Sequence, residues 1–168
     1  MNTQHKDFVK IDVIKVLPSP TGCAICLGND TKVFVIYVGP NEGAAILMTL
    51  EGVAKSRPLT HDLIKSIFQG FNISIEYVLI NDLKENTYYA RLILKEENSL
   101  GKNIIEVDAR PSDCIAIAKQ NNAPIYIKKD IFEKVENLSH ILHKEPTNEY
   151  EDEEEPPEDF NFFDDEEK

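Results

Sequence analysis

Apolar and polar residues alternate along much of the chain, in short segments that are separated by turn residues. This period of two is typical of β-strands that bury one face. Near the start the pattern predicts three strands joined as an antiparallel meander, at 8–17, 23–27 and 32–38. Further along, it predicts four more strands, two of them joined as a hairpin by the polar residues 84–86, at 73–83, 87–95, 104–107 and 125–127.

Three other segments repeat their apolar residues with the spacing of a helix. The predicted helices begin near Pro40, Thr60 and Pro111 and end near Ala54, Gly70 and Asn121. Thr60 is expected to cap the second helix, because a hydroxyl oxygen can accept a bond from a free N–H group of the first turn. The pattern as a whole predicts an α+β fold, with a mixed, largely antiparallel sheet and about three helices packed on it.

Charge divides the chain into two parts. The whole sequence of 168 residues has a formal net charge of -12. Residues 145–168 contain 13 of its 30 acidic residues and one of its 18 basic residues, so residues 1–144 are neutral overall. We therefore predict a folded domain at 1–144 and a disordered acidic tail at 145–168. The phenylalanines of that tail, at 160, 162 and 163, suggest either a protein partner or a simple solubilising role.

The three cysteines do not indicate a metal or redox centre. Cys23 and Cys26 have the C-x-x-C spacing of redox pairs and zinc sites, but no second ligand pair is present. Both lie in a predicted strand, where residues three apart point to opposite faces. Sparse cysteines are typical of a reducing cytoplasm. No signal peptide and no membrane-spanning segment is expected, since the apolar runs are short.

One candidate for chemistry is the segment 57–63, RPLTHDL, at the predicted start of the second helix. Arg57 can bind a phosphate group with two hydrogen bonds, and His61 is a candidate general acid or base. Thr60 and Asp62 are equally explained as capping residues that favour the helix start. Both interpretations stay open.

A second candidate is the segment 108–113, DARPSD, at a predicted turn from strand to helix. Asp108 and Asp113 could share a cation such as Mg²⁺, and Arg110 could oppose a phosphate group. The alternative is that Arg110 pairs with one of the two carboxylates and only locks the turn.

These two segments resemble the bacterial and plant bifunctional nuclease domain family. The resemblance rests on RPLTHDL at 57–63, NDLKENTYYARL at 81–92 and DARPSDCIAIA at 108–118, with support from GPNEGA at 39–44 and API at 123–125. It covers roughly residues 8–140. The family implies a cytoplasmic α+β domain, often oligomeric, so that a homodimer is expected. Its name comes from plant members to which both RNase and DNase activity is assigned.

The resemblance leads to a hypothesis of phosphodiester hydrolysis, assisted by Mg²⁺ or Mn²⁺. The substrate would be RNA, DNA or both, with nucleic acid as the partner. The alternative is a binding or regulatory module without catalysis, with an anion- or protein-binding cleft that the acidic tail modulates. The neutral domain favours this alternative. Under the nuclease hypothesis the site residues comprise a catalytic set (His61, Asp62, Arg57 and Arg110), two substrate-binding hydroxyls (Thr60 and Ser112) and metal ligands (Asp108, Asp113 and Glu42).

Overall fold

The computed structural model describes residues 6–99 and 101–143, which form seven strands and four α-helices. The predicted acidic tail lies outside the described residues. In chain order the elements are β1 (Phe8–Ser19), β2 (Gly22–Asn29), β3 (Lys32–Val38), α1 (Pro40–Leu50), α2 (Thr60–Gly70), β4 (Ile73–Lys84), β5 (Thr87–Asn98), β6 (Gly101–Ala109), α3 (Pro111–Asn121), β7 (Ile125–Lys128) and α4 (Lys129–Lys134), followed by a 3-10 helix (Ser139–His143).

The strands form one mixed sheet, in the order β3-β2-β1-β7-β4-β5-β6. Two antiparallel meanders, β1-β2-β3 and β4-β5-β6, are joined by the short strand β7. β7 pairs with β1 in the antiparallel direction and with β4 in the parallel direction. The predicted fold class, a mixed and largely antiparallel sheet with about three long helices, is confirmed.

The main hydrophobic core lies between one face of the sheet and the helices. Alternate residues of the central strands, such as Ile25, Val78, Ile80 and Ile127, are fully buried there. α3 is apolar on most of its surface, because it packs between the sheet and α1. We refer to this side of the sheet as the helix face.

The cysteines of β2 lie on opposite faces, as the strand pattern predicts. Cys23 packs against the main core, whereas Cys26 belongs to a smaller cluster on the other face, with Ala24, Val33 and Val35. All three cysteines are free. Burial raises the pKa of the Cys114 thiol to about 12, so this thiol stays protonated and is no candidate nucleophile at neutral pH.

The predicted hairpin between β4 and β5 is also confirmed. Glu85 and Asn86 form its two-residue turn, and both have positive φ angles, 48° and 61°. Two consecutive left-handed residues are what a tight turn between twisted antiparallel strands requires. In the described part of the chain, no helix has the length and apolar character needed to cross a membrane.

Helix α1 approaches the sheet closely at Gly43. A Cβ atom at this position would lie 2.5 Å from Cys23 Cβ and would also overlap Cys23 Sγ. The missing side chain therefore allows the helix to rest directly on β2. This contact places the first turn of α1 next to α3, where the candidate site begins.

We expect Gly43→Ala to lower the free energy of unfolding by about 1–3 kcal/mol, since a methyl group would overpack the α1–β2 contact. Urea unfolding followed by circular dichroism measures the change. Gly70→Ala is the matched control, because no atom lies within 4 Å of the added Cβ. The control should match or slightly exceed the wild type, since alanine favours a helix. Equal stability of the two variants would contradict the packing argument.

Candidate active site at three helix starts

Three helices begin near one another, and each has an acidic residue at its third position. These residues are Glu42 in α1, Asp62 in α2 and Asp113 in α3. A carboxylate in the first turn stabilises a helix, because the N-terminal end has a partial positive charge. A side chain of α2 contacts the first turn of α3, and one of α1 contacts the residue just before it, which brings part of both predicted motifs together.

Arg110, the residue immediately before α3, connects two of these carboxylates. Its Nε and Nη2 donate to the two carboxylate oxygens of Asp113, at 2.9 and 3.3 Å, and its Nη1 donates to Glu42 Oε1 at 2.8 Å. These carboxylates raise the pKa of the guanidinium group, Asp113 more than Glu42. The expectation that Arg110 pairs with one of its neighbouring acids is therefore confirmed, with Asp113 as the partner.

Glu42 is positioned by its own helix as well as by Arg110. The pKa of the Glu42 carboxyl group is lowered, most strongly by a hydrogen bond from its own backbone N–H group and next by the bond from the Arg110 side chain. The carboxylate folds back over Gly39, where a Cβ atom would lie 2.6 Å from Glu42 Oε2. A side chain at residue 39 would therefore push Glu42 away from Arg110.

His61 joins this cluster from α2. Its Nε2 lies 3.4 Å from Asp113 Oδ1, and only 17% of its side chain is exposed. We call Glu42, His61, Arg110 and Asp113 the helix-start cluster. It unites one residue from the RPLTHDL segment, two from the DARPSD segment and one from the start of α1.

Asp62 lies outside the cluster, although it follows His61 directly. Its two carboxylate oxygens accept hydrogen bonds from Lys55 Nζ at 3.0 and 2.8 Å, from Gln120 Nε2 at 2.9 Å and from the backbone N–H of Leu59 at 2.8 Å. These bonds lower the pKa of the Asp62 carboxyl group, and the bond from Lys55 has the largest effect, with that from Leu59 next. In this structure Asp62 joins α2 to α3 and to the preceding loop.

The cap of α2 differs from the prediction. Leu59 occupies the N-cap position and Thr60 is the first residue of the helix, so the Thr60 side chain makes no capping bond. Asp62 instead binds the N–H group of Leu59, since a carboxylate at the third helical position can reach back to the cap. The helix start was predicted correctly, but the residue that stabilises it was not.

Arg57 and Asp108 also lie away from the cluster. Arg57 lines a separate cavity of about 490 Å³, together with Lys55, Lys119 and Gln120. Asp108 pairs in register with Arg91 of β5, which alternates with the core residues on either side of it. Its side chain is therefore on the face opposite the helices. The strand register thus does not bring Asp108 and Asp113 together, and a cation shared by the two stays a prediction of the sequence.

A groove leads away from the cluster. It has a volume of about 610 Å³ and lies between the end of β3, the β4–β5 hairpin and the starts of α1 and α3. Glu42, Arg110 and Ser112 line it, and Ser112 is only 6% exposed. Its other wall includes Asn86 and Tyr88, which lay in a segment quoted for the resemblance but were not proposed as site residues. No local pattern marks them, since the fold alone brings the hairpin to this place.

The donors of the cluster do not form a metal site in this arrangement. Glu42 and Asp113 already bind the guanidinium group of Arg110, and Asp62 binds Lys55. Among residues 6–99 and 101–143, no three His, Cys, Asp or Glu side chains converge in a way that could bind a cation. A divalent ion would have to displace Arg110 from at least one carboxylate.

Comparisons with known proteins agree with the resemblance in the sequence. The model of the family described as bifunctional nuclease domain matches residues 26–139. An uncharacterised protein of Mycobacterium tuberculosis is 40% identical over 103 residues, which are 61% of this chain and 58% of that protein. Bifunctional nuclease 1 of Oryza sativa subsp. japonica is 26% identical over 96 residues, which are 57% of this chain and 29% of that protein. The chain thus matches less than two thirds of the length of each of these relatives.

We expect Asp62→Asn to lower the free energy of unfolding at pH 7 by about 1–2 kcal/mol, because the bonds to Lys55 and Leu59 lose a charged acceptor. The lowered pKa means that this stabilisation is present above the unfolded pKa, about 3.9, and is lost as the pH falls through the folded value. The variant should therefore lose less stability than the wild type on acidification below about pH 4. Urea unfolding between neutral and acidic pH measures both effects.

The matched control is Asp30→Asn, which changes an exposed carboxylate in the β2–β3 turn. It should follow the wild type at every pH. If Asp62→Asn also followed the wild type in acid, the carboxylate would contribute nothing to the pH dependence of folding.

Proposed function

This chain belongs to the bifunctional nuclease domain family, and on that basis we propose that it hydrolyses phosphodiester bonds of RNA or DNA. We place the reaction at the helix-start cluster. The observation that supports this choice is the meeting of Arg110 and His61 around Asp113, beside a groove that Arg110 lines. Nuclease activity is named in the description of the plant relatives, and their match covers only part of each chain.

Arg110 is the proposed phosphate ligand. Its guanidinium group has five N–H donors, of which three are used for Glu42 and Asp113. Two donors remain, and the side chain is 65% exposed. In the transition state of hydrolysis, negative charge accumulates on the oxygens of phosphorus, where such donors are most effective. Ser112, which also lines the groove, is proposed as a further contact to the substrate.

His61 is the proposed general base. When Nε2 donates its proton to Asp113, Nδ1 is left as an acceptor for a proton from water. The oxygen of that water attacks phosphorus, one P–O ester bond breaks, and the departing oxygen takes a proton from solvent. The products are a phosphate monoester and a free hydroxyl group. Asp113 is a positioning residue, because it orients the imidazole ring and Arg110 at the same time.

Mg²⁺ or Mn²⁺, which the sequence suggested, does not fit the donors as they are arranged. The carboxylates of Glu42 and Asp113 have Arg110 as their partner, and Asp108 lies on the other face of the sheet. None of the steps above uses a metal ion. Metal assistance stays a prediction of the sequence, and its test is separate from that of the cluster.

We expect purified protein to cleave labelled RNA or DNA, and His61→Ala to reduce the rate by about 100-fold or more, since general base catalysis contributes that much. Arg110→Lys should reduce it by about 10-fold to 100-fold, because lysine cannot bind two carboxylates and a phosphate together. His140→Ala is the matched control, since His140 is exposed in the 3-10 helix and should not affect cleavage.

All variants are purified in parallel, so that a contaminating nuclease appears equally in each. Equal cleavage by wild type and His61→Ala would overturn the assignment of the site. Loss of cleavage in the His140→Ala control would show that the assay does not report on the cluster.

The metal is tested by the same assay after dialysis against EDTA. The arrangement of donors leads us to expect cleavage without added cation, with less than about a twofold change when Mn²⁺ or Mg²⁺ is restored. Complete loss in EDTA and recovery with Mn²⁺ would show that the carboxylates release Arg110 in the active form. The His61→Ala comparison would then be repeated with the ion present.

A binding or regulatory module without catalysis is the second candidate. One observation favours it: with a neutral His61, the two carboxylates and the one guanidinium group leave the cluster with a net charge of −1. A site of that charge repels phosphate unless the imidazole is protonated. Binding of RNA without cleavage, measured by fluorescence anisotropy, would support this candidate over the nuclease.

The proposed partner in both cases is nucleic acid. Arg57 as a catalytic residue and Thr60 as a substrate contact stay predictions of the sequence, and both lie outside the cluster. A cytoplasmic location is proposed from the free cysteines. A homodimer and a protein partner for residues 145–168 are also proposals, and the first of these has a structural basis of its own.

A further inference from the structure

The two edge strands of the sheet, β3 and β6, differ in whether their outer backbone groups have hydrogen-bond partners in the described part of the chain. At the β3 edge, the carbonyl of Val33 accepts a hydrogen bond from the N–H of Leu138. The N–H of Val33 donates to the side chain of Asn137. At the other edge, β6 has no neighbour on its outer side in the described part of the chain. Free backbone groups along an edge strand are a template for another strand.

β6 carries charged residues but lacks two other features that protect an edge, a very short strand and a proline. It is nine residues long, it contains no proline, and its residues from Gly101 to Asp108 are all exposed. Ile104, Ile105 and Val107 are 52%, 42% and 38% exposed. An exposed apolar edge of this length is expected either to aggregate or to bind a partner.

Apolar side chains of α2 are exposed on the same side of the sheet as Ile105 and Val107. α2 packs its Ile64 and Phe68 against the core. Its other side presents an apolar stripe at every fourth residue, which is Leu59, Leu63, Ile67 and Phe71, between 42% and 71% exposed. Soluble monomers rarely expose this many neighbouring large apolar side chains.

The charges of β6 indicate which strand would fit beside it. Lys102 faces Glu97 and Asp108 faces Arg91 across the β5–β6 pair, but neither forms a salt bridge among the described residues, whereas Glu106 binds Arg91 at 2.6 Å. In an antiparallel pair of two β6 strands centred on Ile105, Lys102 of each copy faces Asp108 of the other. Opposite charges in facing positions stabilise a strand pair.

We propose that two copies of this chain associate through β6, antiparallel, around a twofold axis at Ile105. Ile105 then faces its own counterpart, Asn103 faces Val107, and Lys102 faces Asp108 on both sides of the axis. The pairing continues the sheet from one copy into the other, and the interface is self-complementary as twofold symmetry demands. The proposal does not depend on whether the chain cleaves nucleic acid.

Neighbouring registers fit less well. A shift by two residues in one direction places Glu106 opposite Glu106, so that like charges face each other. A shift by two in the other direction places Lys102 opposite Glu106, which already binds Arg91. The register centred on Ile105 is the one that sets Lys102 and Asp108, which form no salt bridge in the described part of the chain, opposite each other.

This arrangement keeps the two candidate sites apart. Arg110 follows the end of β6 five residues after Ile105, so the two copies of Arg110 would be separated by roughly 34 Å along the strands. Each helix-start cluster therefore belongs to one copy. Loss of the dimer and loss of cleavage are distinguishable outcomes.

The test is a charge reversal measured by sedimentation velocity of the full chain at about 50 µM. The wild type should be a dimer. Lys102→Asp and Asp108→Lys should each be monomers, because like charges then face each other at both ends of the strand pair. When these two variants are mixed, every facing pair is again opposite in charge, so the mixture should form a dimer.

Ile105→Lys, which places two ammonium groups at the axis, should also be a monomer. Asp30→Lys is the matched control for charge reversal at an exposed turn and should remain a dimer. Circular dichroism of each variant shows whether it is folded. A monomeric wild type, or a dimer that survives Lys102→Asp, Asp108→Lys and Ile105→Lys alike, would overturn the proposal, as would a mixture that stays monomeric.

Discussion

Strand β7 joins the two halves of this molecule, and the other features depend on that pairing. It is only four residues long, yet it binds β1 on one side and β4 on the other, in opposite relative directions. Ile125 and Ile127 are almost completely buried beneath the helices. Because β7 comes after α3 in the chain, the sheet becomes continuous only when the segment after α3 returns between the two meanders. The continuous face then gives α1 and α3 a common surface to pack on.

At the starts of α1, α2 and α3, the groups that stabilise the helices also form the candidate site. Each helix benefits from a carboxylate in its first turn. Once the helix starts lie together, a carboxylate of one helix can also bind a residue next to another helix. Glu42 and Asp113, from two helices, both bind Arg110. Asp62 has the same position in its helix but faces Lys55 and Gln120, so it contributes to packing of α2. An acid at a helix start is therefore weak support for catalysis until its partners are known.

The sequence predicted the local elements well, since they depend on local patterns. The meander, the hairpin at 84–86 and the helix that starts at Pro111 follow from alternation, turn residues and proline. The partners of charged groups were harder to predict, because they depend on strand register and helix rotation. Asp108 and Asp113 are five residues apart in sequence, yet β6 directs one to the far face while α3 directs the other to Arg110. The roles of both remain predictions.

The position of β6 in the order of the sheet separates two tasks. Its last residue leads directly to Arg110, so one end of the strand contributes to the candidate site. Its outer edge has no strand partner among the described residues, whereas the segment after α4 binds the backbone of Val33 at the opposite edge. The outer edge of β6 exposes apolar residues, with charges in a self-complementary order, and for this reason the proposed association surface lies there. The proposed association surface and the candidate site therefore share one strand, at positions where each can be changed without the other.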